Sequence, residues 1–594
     1  MKKRVADIIV ETLVERGVTN CFAVVGGGAM HLDNALGLNA DMHKTFNHHE
    51  QASAMAAEAY ARLNGKPAMV CVTSGPGATN TLTGVMGAWQ DSLPMIVVSG
   101  QVRYAISVPQ SGLPLRYRGI QEFQIVPSVK NMTKYAIMLT DPLSVRREVN
   151  KAIDISMSGR RGPVWLDVPL DIQSAIVETD ELYENEPAPQ VPTATAQDVE
   201  EVLKKLENAK RPVILAGNGI VNSGNMKAFR DFAIKTGVPV ISACIAADVM
   251  YLDYERFYGL SGSIGPRTGN FIVQNADVIL ALGSNLGFKM TGFAQEYFAP
   301  DAHMIAVDVD EYEMQKPGVR VHHHVHSDLK AFFEAAADVV RPIHVPKKWL
   351  DYCNALKARF SPYEACEGLP MSDRVCSYWF WKKYDEIAPE DCITAMGCSS
   401  ANSPRLQIGV WHPQQRVITN NNCGAMGEGL PMAIGSAVNG APVICVTGDG
   451  NVMMNLQELQ TIKYNKLPVK VVVFSNDGYN AIRQTSKNFF NGFRVGCDES
   501  SGISFPSFEK VAAAFEYEYK CCHNNGEVED CLKWLFEAEG NVFLEIQQRL
   551  DDPVTPKVMS RQLPDGTMAS PALQDMHPFI SEEEMEHWMS ISKE

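Results

Sequence analysis

The amino-acid sequence predicts an α/β protein made of three doubly wound parallel-sheet domains. Short β-rich runs such as CFAVVGG, PAMVCVTSG and MIVVSG alternate with helical patterns, and this alternation restarts twice farther along the chain. Strands that alternate with helices form a mostly parallel sheet covered on both faces, and ligands gather at the carboxyl ends of its strands. A chain of 594 residues is also too long for a single hydrophobic core.

Changes in composition set the predicted domain boundaries. The N-terminal domain covers 1–180, and an acidic, proline-containing connector, VETDELYENEPAPQVPTATAQ, follows its last helical patterns. The central domain covers 190–345 and contains RPVILAGNGI, GVPVISA, ADVILALGS and HMIAVDVD. After a charged helical stretch, the third domain covers 370–552 and contains VITNNN, APVICVTGDG, KVVVFSN and NVFLEI. The tail at 553–594 has little periodicity, and we expect it to wrap over the surface or over the mouth of an active site.

Composition argues against several classes of function. The formal net charge is −16 and no sustained Lys/Arg stripe occurs, so we expect no nucleic-acid partner. No apolar run approaches the roughly 18 residues of a membrane-spanning helix, so we expect no membrane association. In MKKRVADIIVETLVERG, Asp7 and Glu11 interrupt the apolar residues, which is typical of a first helix rather than a signal peptide. The 14 cysteines form no CxxC pair, which favours a reducing cytoplasmic location.

The strongest signal for chemistry is VTGDGNVMMNLQELQTIKYNKLPVKVVVFSNDGYN in the third domain. One strand ends at Gly448-Asp449-Gly450 and the next ends at Asn476, so both polar residues should meet at one sheet edge. A carboxylate and an amide oxygen are hard donors that suit Mg²⁺. A helix beginning near Asn455 would also point its N-terminal amides at an anion. An isolated GDG is more often a simple turn, but Asn476 favours a magnesium-diphosphate site.

A second signal is TFNHHEQASAMAAEAYARLNG in the first domain. Glu50 begins an Ala-rich helix at the end of a short strand. A carboxylate in the first turn of a helix is common because the macrodipole favours it, so this position alone identifies no site. Together with Asp449 and Asn476, it makes Glu50 the leading catalytic candidate.

These motifs resemble the thiamine-diphosphate-dependent enzymes, in which GDG is followed farther along the chain by Asn. AVVGGGAM, SGPGATN, DSLPMIVVSGQV and GAMGEGLPMAIG are further similar to acetohydroxyacid synthase, and the similarity covers roughly residues 1–550. The resemblance implies an N-terminal pyrimidine-binding domain, a central domain and a diphosphate- and magnesium-binding domain. It implies thiamine diphosphate and Mg²⁺ as cofactors. It also implies active sites between the subunits of a homodimer or homotetramer.

The resemblance assigns roles to the residues of the two strongest signals. Asp449, Asn476 and the backbone carbonyl of Gly478 match the metal ligands. Glu50 matches the glutamate that hydrogen-bonds N1′ of the aminopyrimidine and so promotes the tautomer that deprotonates the thiazolium C2.

Further residues follow from the same resemblance. Met426 matches a bulky residue that supports the bent cofactor, although a core methionine is comparably plausible. Gln101 matches a glutamine near the substrate channel, and it joins Glu50 and Met426 as a catalytic candidate. Gly26 and Gly27 match a loop that leaves space for substrate, which is compatible with an ordinary turn. The other cofactor-binding candidates are Gly424, Gly448, Gly450, Asn451 and Tyr479.

The sequence departs from the acetohydroxyacid synthases at three positions that select the acceptor. Thr485 in AIRQTS replaces a tryptophan, Ile120 in RGIQEFQ replaces a phenylalanine, and Lys289 in NLGFK replaces an arginine. Lysine keeps the charge but lacks the guanidinium fork that fits a carboxylate, so acceptor recognition should differ. The segment around this arginine helps to hold flavin in the synthases, which leaves FAD an open question. The tail resembles that of synthase-like proteins of surface-polysaccharide pathways, which hints at an aldehyde or keto-sugar acceptor.

The expected reaction is decarboxylation of a 2-keto acid, with pyruvate as a candidate, and carboligation of the acyl-anion equivalent to a carbonyl acceptor. Two alternatives stay open: a lyase that releases the aldehyde, and a flavin-linked 2-keto acid oxidase. The presence of Glu50, Asp449 and Asn476 together argues against a non-enzymatic binding role. The histidines of VHHHVHSD alternate with valines before a helix, which favours a polar-faced strand over a metal site.

Overall fold

The computed structural model describes residues 1–562 and 565–593, and it contains three six-stranded sheets over this part of the chain. All neighbouring strands within these three sheets pair in parallel. The predicted fold class, three doubly wound parallel-sheet α/β domains, is therefore confirmed. The apolar runs become strands because helices cover both faces of each sheet. Leu563, Pro564 and Glu594 of the predicted tail lie outside the described residues.

The strands of each sheet follow the same spatial plan. The N-terminal sheet contains, in spatial order, His43–Phe46, Asn20–Ala23, Met69–Val72, Met95–Gln101, Pro163–Pro169 and Tyr135–Met138. The central sheet contains Phe257–Ser261, Val240–Ala243, Pro212–Ala216, Val278–Leu282, His303–Asp308 and His323–His326. The C-terminal sheet contains Arg416–Ile418, Ile393–Met396, Val443–Gly448, Val469–Ser475, Val542–Gln547 and Glu518–Cys522.

The α-helices lie between these strands in the chain. Those of the N-terminal part are Val5–Glu15, Met30–Leu38, Glu50–Asn64, Pro76–Asn80, Leu82–Gln90, Val108–Ser111, Ile125–Val129, Val145–Met157 and Leu170–Ser174. Those of the central part are Ala196–Glu207, Gly219–Asn222, Met226–Thr236, Arg267–Asn275, Phe288–Thr291, Glu311–Gln315 and Leu329–Ala336. The later ones are Lys347–Arg359, Ser377–Ile387, Asn402–Ile408, Gly429–Ala437, Asp449–Val452, Glu458–Tyr464, Asn480–Phe489, Phe508–Ala514, Val528–Glu537 and Glu582–Met589.

Each sheet has a crevice where the chain reverses its direction of winding. In the C-terminal sheet this point lies between Ile393–Met396 and Val443–Gly448, and in the central sheet between Pro212–Ala216 and Val278–Leu282. The N-terminal sheet reverses between Asn20–Ala23 and Met69–Val72. Ligands of open α/β sheets bind outside the carboxyl ends of the strands at such points. The GDG motif, the AVVGGGAM loop and the SGPGATN loop all follow strands at these reversals.

The Glu50–Asn64 helix joins the first and third domains within one chain. It lies between the Leu82–Gln90 and Gly429–Ala437 helices, and its alanines allow close approach on both sides. A Cβ on Gly435 would lie 1.9 Å from the carbonyl oxygen of Ala56, and one on Gly84 would lie 2.6 Å from Cβ of Ala54. Because proteins pack to high density, this contact fixes the helix whose first residue is Glu50.

Several local predictions differ from the structure. The strands Pro163–Pro169 and Phe257–Ser261 were not among the predicted runs. The helix predicted to begin near Asn455 is wrong, because a four-residue helix covers Asp449–Val452 and the next helix begins at Glu458. The side chain of Asn455 instead donates to the carbonyl oxygen of Gly427, 2.8 Å away, across the chain. Asn455 thus lies in the turn that precedes the Glu458–Tyr464 helix.

The described part of the tail wraps over the central domain. Leu573 and Met576 are buried, and the Trp588 ring packs edge-on against the rings of Tyr352 and Phe360. Nearer the start of the tail, Lys557 donates to Oε1 of Gln484 at 3.3 Å. Among the described helices, none combines the length and apolar character needed to cross a membrane.

Candidate active site

The carboxylate of Asp449 brings the three predicted metal ligands together. The strands Val443–Gly448 and Val469–Ser475 are neighbours in register, with Gly448 opposite Phe474. Asp449 Oδ1 accepts from the amide of Gly450 at 2.7 Å, and Oδ2 accepts from the amides of Asn476 at 3.0 Å and Gly478 at 3.2 Å. The structure therefore places Asp449, Asn476 and Gly478 together at one edge of the sheet.

Burial disfavours the ionised form of the Asp449 carboxylate when no positive charge lies beside it. It raises the pKa of Asp449 to about 6, against the opposing effect of the three amide donors. A bound cation would offset that desolvation, and a carboxylate, an amide oxygen and a backbone carbonyl are oxygen donors of the kind Mg²⁺ prefers. Within 1–562 and 565–593, no group of three or more His, Cys, Asp or Glu side chains is arranged to hold a metal. A metal at this edge would thus depend on Asn476 and Gly478 as well as Asp449.

Two residues that the sequence reasoning missed hold the side chain of Asn476. Its Nδ2 donates to Ser400 Oγ at 3.0 Å and to Gln548 Oε1 at 2.9 Å. Gln548 directly follows the Val542–Gln547 strand, which neighbours the strand before Asn476. The rule that found Asn476, a polar residue at the end of an adjacent parallel strand, would also have found Gln548.

Glycines at the GDG edge leave room for close approach. A Cβ on Gly450 would lie 2.1 Å from Cε1 of Tyr479, so the Tyr479 ring packs directly over the motif. Gly478 has φ +150°, and a Cβ there would lie 2.1 Å from the carbonyl oxygen of Cys497. Gly478 therefore requires glycine, whereas a side chain at position 450 would displace the Tyr479 ring. Gly448 is the N-cap residue of the short Asp449–Val452 helix.

Asn451 fixes the motif to the rest of the domain. Its Oδ1 accepts from Thr447 Oγ1 at 3.0 Å and from the amide of Gly429 at 3.5 Å, and its Nδ2 donates to the carbonyl of Cys398 at 3.1 Å. Asn451 is buried. The side chain thus links the GDG turn to the helix that follows the predicted Gly424 and Met426 loop.

Glu50 is half-buried at the start of its helix, where its position is defined by neighbours on two sides. The Nδ1 of His49 accepts from the amide of Gln51 and caps the helix. Asn80, the last residue of SGPGATN, donates to Glu50 Oε2 at 2.9 Å. A Cβ on Gly77 of the same loop would lie 3.6 Å from Oε1, so the loop surrounds the carboxylate.

Hydrogen bonds within the chain connect the Glu50 region to the residues that follow GDG. Asn47 Nδ2 donates to Glu458 Oε2 at 2.9 Å, and the amide of His48 donates to Oε1 at 3.0 Å. Gln51 Oε1 accepts from Asn455 Nδ2 at 3.1 Å. The two strongest sequence signals are thus linked through Glu458 and Asn455.

The predicted glycine loops differ in how much space surrounds them. A Cβ on Gly26 would lie 2.6 Å from Cβ of Thr73, whereas a Cβ on Gly27 would have no heavy atom within 4 Å. Gly424 has φ +58° and likewise faces open space at its Cβ position. Met426 is half-buried two residues later. Gly27, Gly424 and Met426 therefore border open volume, whereas Gly26 packs against Thr73.

Gln101 occupies a different environment from the other catalytic candidates. It is buried, and its Nε2 donates to the carbonyl of Phe123 at 2.9 Å and to Asp167 Oδ2 at 3.1 Å. Its Oε1 accepts from the amide of Val102 at 3.1 Å. The polar atoms of its side chain are thus engaged inside the N-terminal domain. Burial raises the pKa of Asp167 to about 7.

A cluster of buried charges that the sequence reasoning missed lies where the domains meet. Arg62 donates to Glu58 at 3.0 Å and also to Asp91, and all three side chains are buried. Burial raises the pKa of Glu58 to about 7. Glu428, which precedes the Gly429–Ala437 helix, is buried with no partner for its Oε1, and burial raises its pKa well above the usual range. Asn420 Nδ2 donates to Glu58 at 3.0 Å and so connects the cluster to the Gly424 loop.

The central domain contains a cavity of about 340 Å³ at the reversal point of its sheet. It is lined by Gly217, Gly283, Asp308 and Lys289 of the central domain and reaches Asp91 and Asn422 of the other domains. The loops after Pro212–Ala216 and Val278–Leu282 touch, since a Cβ on Gly217 would lie 2.2 Å from the carbonyl oxygen of Gly283. Three of the four histidines of VHHHVHSD lie elsewhere, on the edge strand His323–His326, and His322 precedes that strand.

Comparison with known proteins gives three matches to models of one family. Residues 3–123 match the thiamine pyrophosphate enzyme N-terminal TPP binding domain, 199–336 match its central domain, and 395–546 match its C-terminal TPP binding domain. Acetolactate synthase isozyme 2 large subunit of Escherichia coli (strain K12) is 30% identical over 546 residues, which covers 91% of this chain and 95% of that protein. The chloroplastic acetolactate synthase of Arabidopsis thaliana is 29% identical over 579 residues, with 93% and 83% covered.

Proposed function

The chain belongs to the thiamine pyrophosphate enzyme family, with acetolactate synthases among its relatives, and on this premise we propose that it decarboxylates a 2-keto acid and ligates the acyl group to a carbonyl acceptor. The observation that carries the proposal is the contact of Asp449 with the amides of Asn476 and Gly478, together with Glu50 at the start of a capped helix. These residues supply a metal-diphosphate site and a proton-transfer group, which this reaction requires.

In the proposal, Mg²⁺ is held by the Asp449 carboxylate, the Asn476 amide oxygen and the Gly478 carbonyl. These three oxygens would hold the ion, which would in turn bind the diphosphate. Gly448, Gly450 and Asn451 form the turn beside the diphosphate, and the absent side chain of Gly450 is what lets Tyr479 pack there. Burial raises the pKa of Asp449, and a cation bound beside this carboxylate would compensate its negative charge.

When bound, thiamine diphosphate would supply the electron sink that decarboxylation of a 2-keto acid requires. Glu50 holds a proton at N1′ of the aminopyrimidine, and Asn80 keeps its carboxylate in place. Met426 and Gly424 support the cofactor from the open side of their loop. Gly27 leaves space for the substrate, since a Cβ there would meet no heavy atom within 4 Å, and Gly26 lets the loop pack closely against Thr73.

Gln101 has a role in positioning rather than in direct chemistry in this proposal. Its amide joins the end of the Met95–Gln101 strand to Phe123 and Asp167. Through these hydrogen bonds, the Gln101 side chain supports the neighbouring loop that contains Ile120. Contact with substrate would require breaking these buried hydrogen bonds, which is costly.

We propose a homodimer or homotetramer with active sites between the subunits. Large apolar side chains next to the predicted cofactor loops are exposed in the single chain, namely Val25, Met30, Phe46, Met453 and Met454. Exposed apolar surface of this kind is typical of protein interfaces. The proposed location is the cytoplasm, since the structure describes all 14 cysteines as free thiols.

The cavity of the central domain supports a bound nucleotide cofactor, with FAD as the candidate. Its place at the reversal point of the sheet is where open α/β sheets bind dinucleotides. Arg161 and Lys289 line the cavity and supply positive charge for a phosphate, and bonds from Arg161 to the backbone carbonyls of Gly65 and Asn222 hold its guanidinium in place. A flavin absorbance band in the purified protein would establish FAD.

The experiment that tests the proposed function follows CO₂ and products by mass spectrometry. Purified protein is incubated with Mg²⁺, thiamine diphosphate and pyruvate, with and without 2-keto acid, aldehyde and keto-sugar acceptors. We expect a carbon–carbon product that depends on the acceptor. Aldehyde alone would identify a lyase, and product formation that requires bound flavin and an electron acceptor would identify an oxidase. Release of no CO₂ from any 2-keto acid tested would refute the proposal.

A further inference from the structure

We infer that Arg483 is a positioning residue that orients the carboxamide oxygen of Asn476, which is proposed to bind Mg²⁺ beside Asp449. Its Nη2 donates to the backbone oxygen of Asn476 at 2.9 Å and to Oδ1 of the same residue at 3.2 Å. It also donates to the carbonyl of Leu550. This inference rests on the proposed function, because it concerns the metal site named there.

The fold aims Arg483 at the metal-binding loop. The residue lies in the first turn of the Asn480–Phe489 helix, which begins two residues after Gly478. Helical side chains tilt toward the N-terminus of their helix, so Arg483 reaches back over 476–478. A Cβ on Gly478 would lie 2.5 Å from Nη1, which shows how closely the guanidinium packs on this backbone.

Hydrogen bonds on both sides fix the orientation of the Asn476 carboxamide. Its Nδ2 donates to Ser400 and Gln548, so the opposite atom, which accepts from Arg483, is the oxygen. An oxygen atom has a second lone pair, which is the one left for a metal. Groups that orient metal ligands in this way affect affinity even though they do not touch the ion.

The charge of Arg483 suits a complete metal-diphosphate complex. The side chain is 5% exposed, and its nearest carboxylate among the described residues, Asp551, is 3.7 Å from Nε and largely exposed. Asp449 and a diphosphate together have more negative charge than one Mg²⁺ neutralises. A buried guanidinium beside the ligands therefore stabilises the ternary complex, although it would repel a metal ion bound alone.

The test measures Mg²⁺ binding to full-length Arg483→Met protein by calorimetry at a fixed excess of thiamine diphosphate. We expect the Kd for Mg²⁺ to rise about 10- to 100-fold, the usual effect of losing a group that orients a ligand. Because Mg²⁺ needs stricter geometry than Ca²⁺, the preference for Mg²⁺ over Ca²⁺ should also fall. Arg483→Lys should bind Mg²⁺ more tightly than Arg483→Met, since lysine keeps the charge but cannot bridge the backbone and side-chain oxygens of Asn476.

Arg267→Met is the matched control. Arg267 is also 5% exposed and donates to backbone carbonyls, those of Met576 and Pro578, but it lies in the central domain. We expect it to lower the unfolding temperature while leaving the Kd for Mg²⁺ unchanged. A Kd within about twofold of the unmodified protein in Arg483→Met, or an equal loss in both variants, would overturn the inference. Failure of the unmodified protein to bind Mg²⁺ with thiamine diphosphate would instead refute the proposed function.

Discussion

Replacing Asp449 by asparagine separates the stability of the empty fold from its affinity for the metal. The carboxylate accepts three amide protons, one on Oδ1 and two on Oδ2. A carboxamide has one oxygen, so it can face Asn476 and Gly478 or Gly450, but not both sides. Its amino group must then face an N–H, which costs about 1–3 kcal/mol for an unsatisfied buried donor.

An opposing effect nearly cancels this cost without ligands. The pKa of Asp449 is raised from 3.8 to about 6, so keeping this carboxylate ionised at pH 8 costs the folded protein about 3 kcal/mol. Asparagine removes that cost. We therefore expect the unfolding free energy of Asp449→Asn without ligands to stay within about 2 kcal/mol of the unmodified protein.

Metal-dependent stabilisation should respond very differently. At Mg²⁺ about 100 times its Kd, with thiamine diphosphate present, binding stabilises the unmodified fold by about 2.7 kcal/mol. The variant lacks the anionic ligand, so this stabilisation should be lost. Thermal unfolding at pH 8 with and without Mg²⁺-thiamine diphosphate measures both quantities. An Asp449→Asn protein that gains the same Mg²⁺-dependent rise in Tm would show that the ion does not bind at this edge.

Two further predictions concern the other domain. Glu50→Gln should lower kcat by about a hundredfold to ten-thousandfold, the usual contribution of a proton-transfer group, while thiamine diphosphate binding by calorimetry stays close to normal. Turnover near that of the unmodified protein would contradict the role of Glu50. Asp167→Asn tests the raised pKa of about 7: because the folded state holds this proton more tightly, the unmodified protein loses stability as pH rises from about 4 to 7. The Tm of the variant relative to the unmodified protein should therefore increase between pH 5 and pH 8, and a pH-independent difference would refute the assignment.

The sequence predicted those parts of the site that follow from the ends of neighbouring strands. Asp449 and Asn476 could be paired because parallel strands end at a common edge, and the two strands were recognisable as apolar runs. Gln548 obeys the same rule one strand farther along. Ser400 could not be found this way, because it lies in a loop whose path depends on the packing of the whole domain.

Local sequence was least informative where distant residues decide the conformation. The helix expected near Asn455 begins at Glu458 instead, and the Asn455 side chain bonds to Gly427, 28 residues away in the chain. The buried cluster likewise joins Glu58 and Arg62 of one helix to Asp91, which follows another helix. A charged residue on an amphipathic pattern is usually assigned to the surface, so burial of such a cluster appears only when the domains are assembled.

The proposed metal ligands are buried, whereas the positions expected to select the acceptor are exposed. This difference explains why the sequence is more informative about the reaction chemistry than about the acceptor. Asp449 and Asn476 are 3% and 4% exposed, and neighbouring backbone atoms fix their geometry, so few residue types fit there. The three positions that depart from the acetohydroxyacid synthases, Thr485, Ile120 and Lys289, are all exposed in the single chain. Substitution at exposed positions has little effect on folding, so these side chains can change with the acceptor while the buried site is retained. A change of acceptor therefore leaves the family pattern intact.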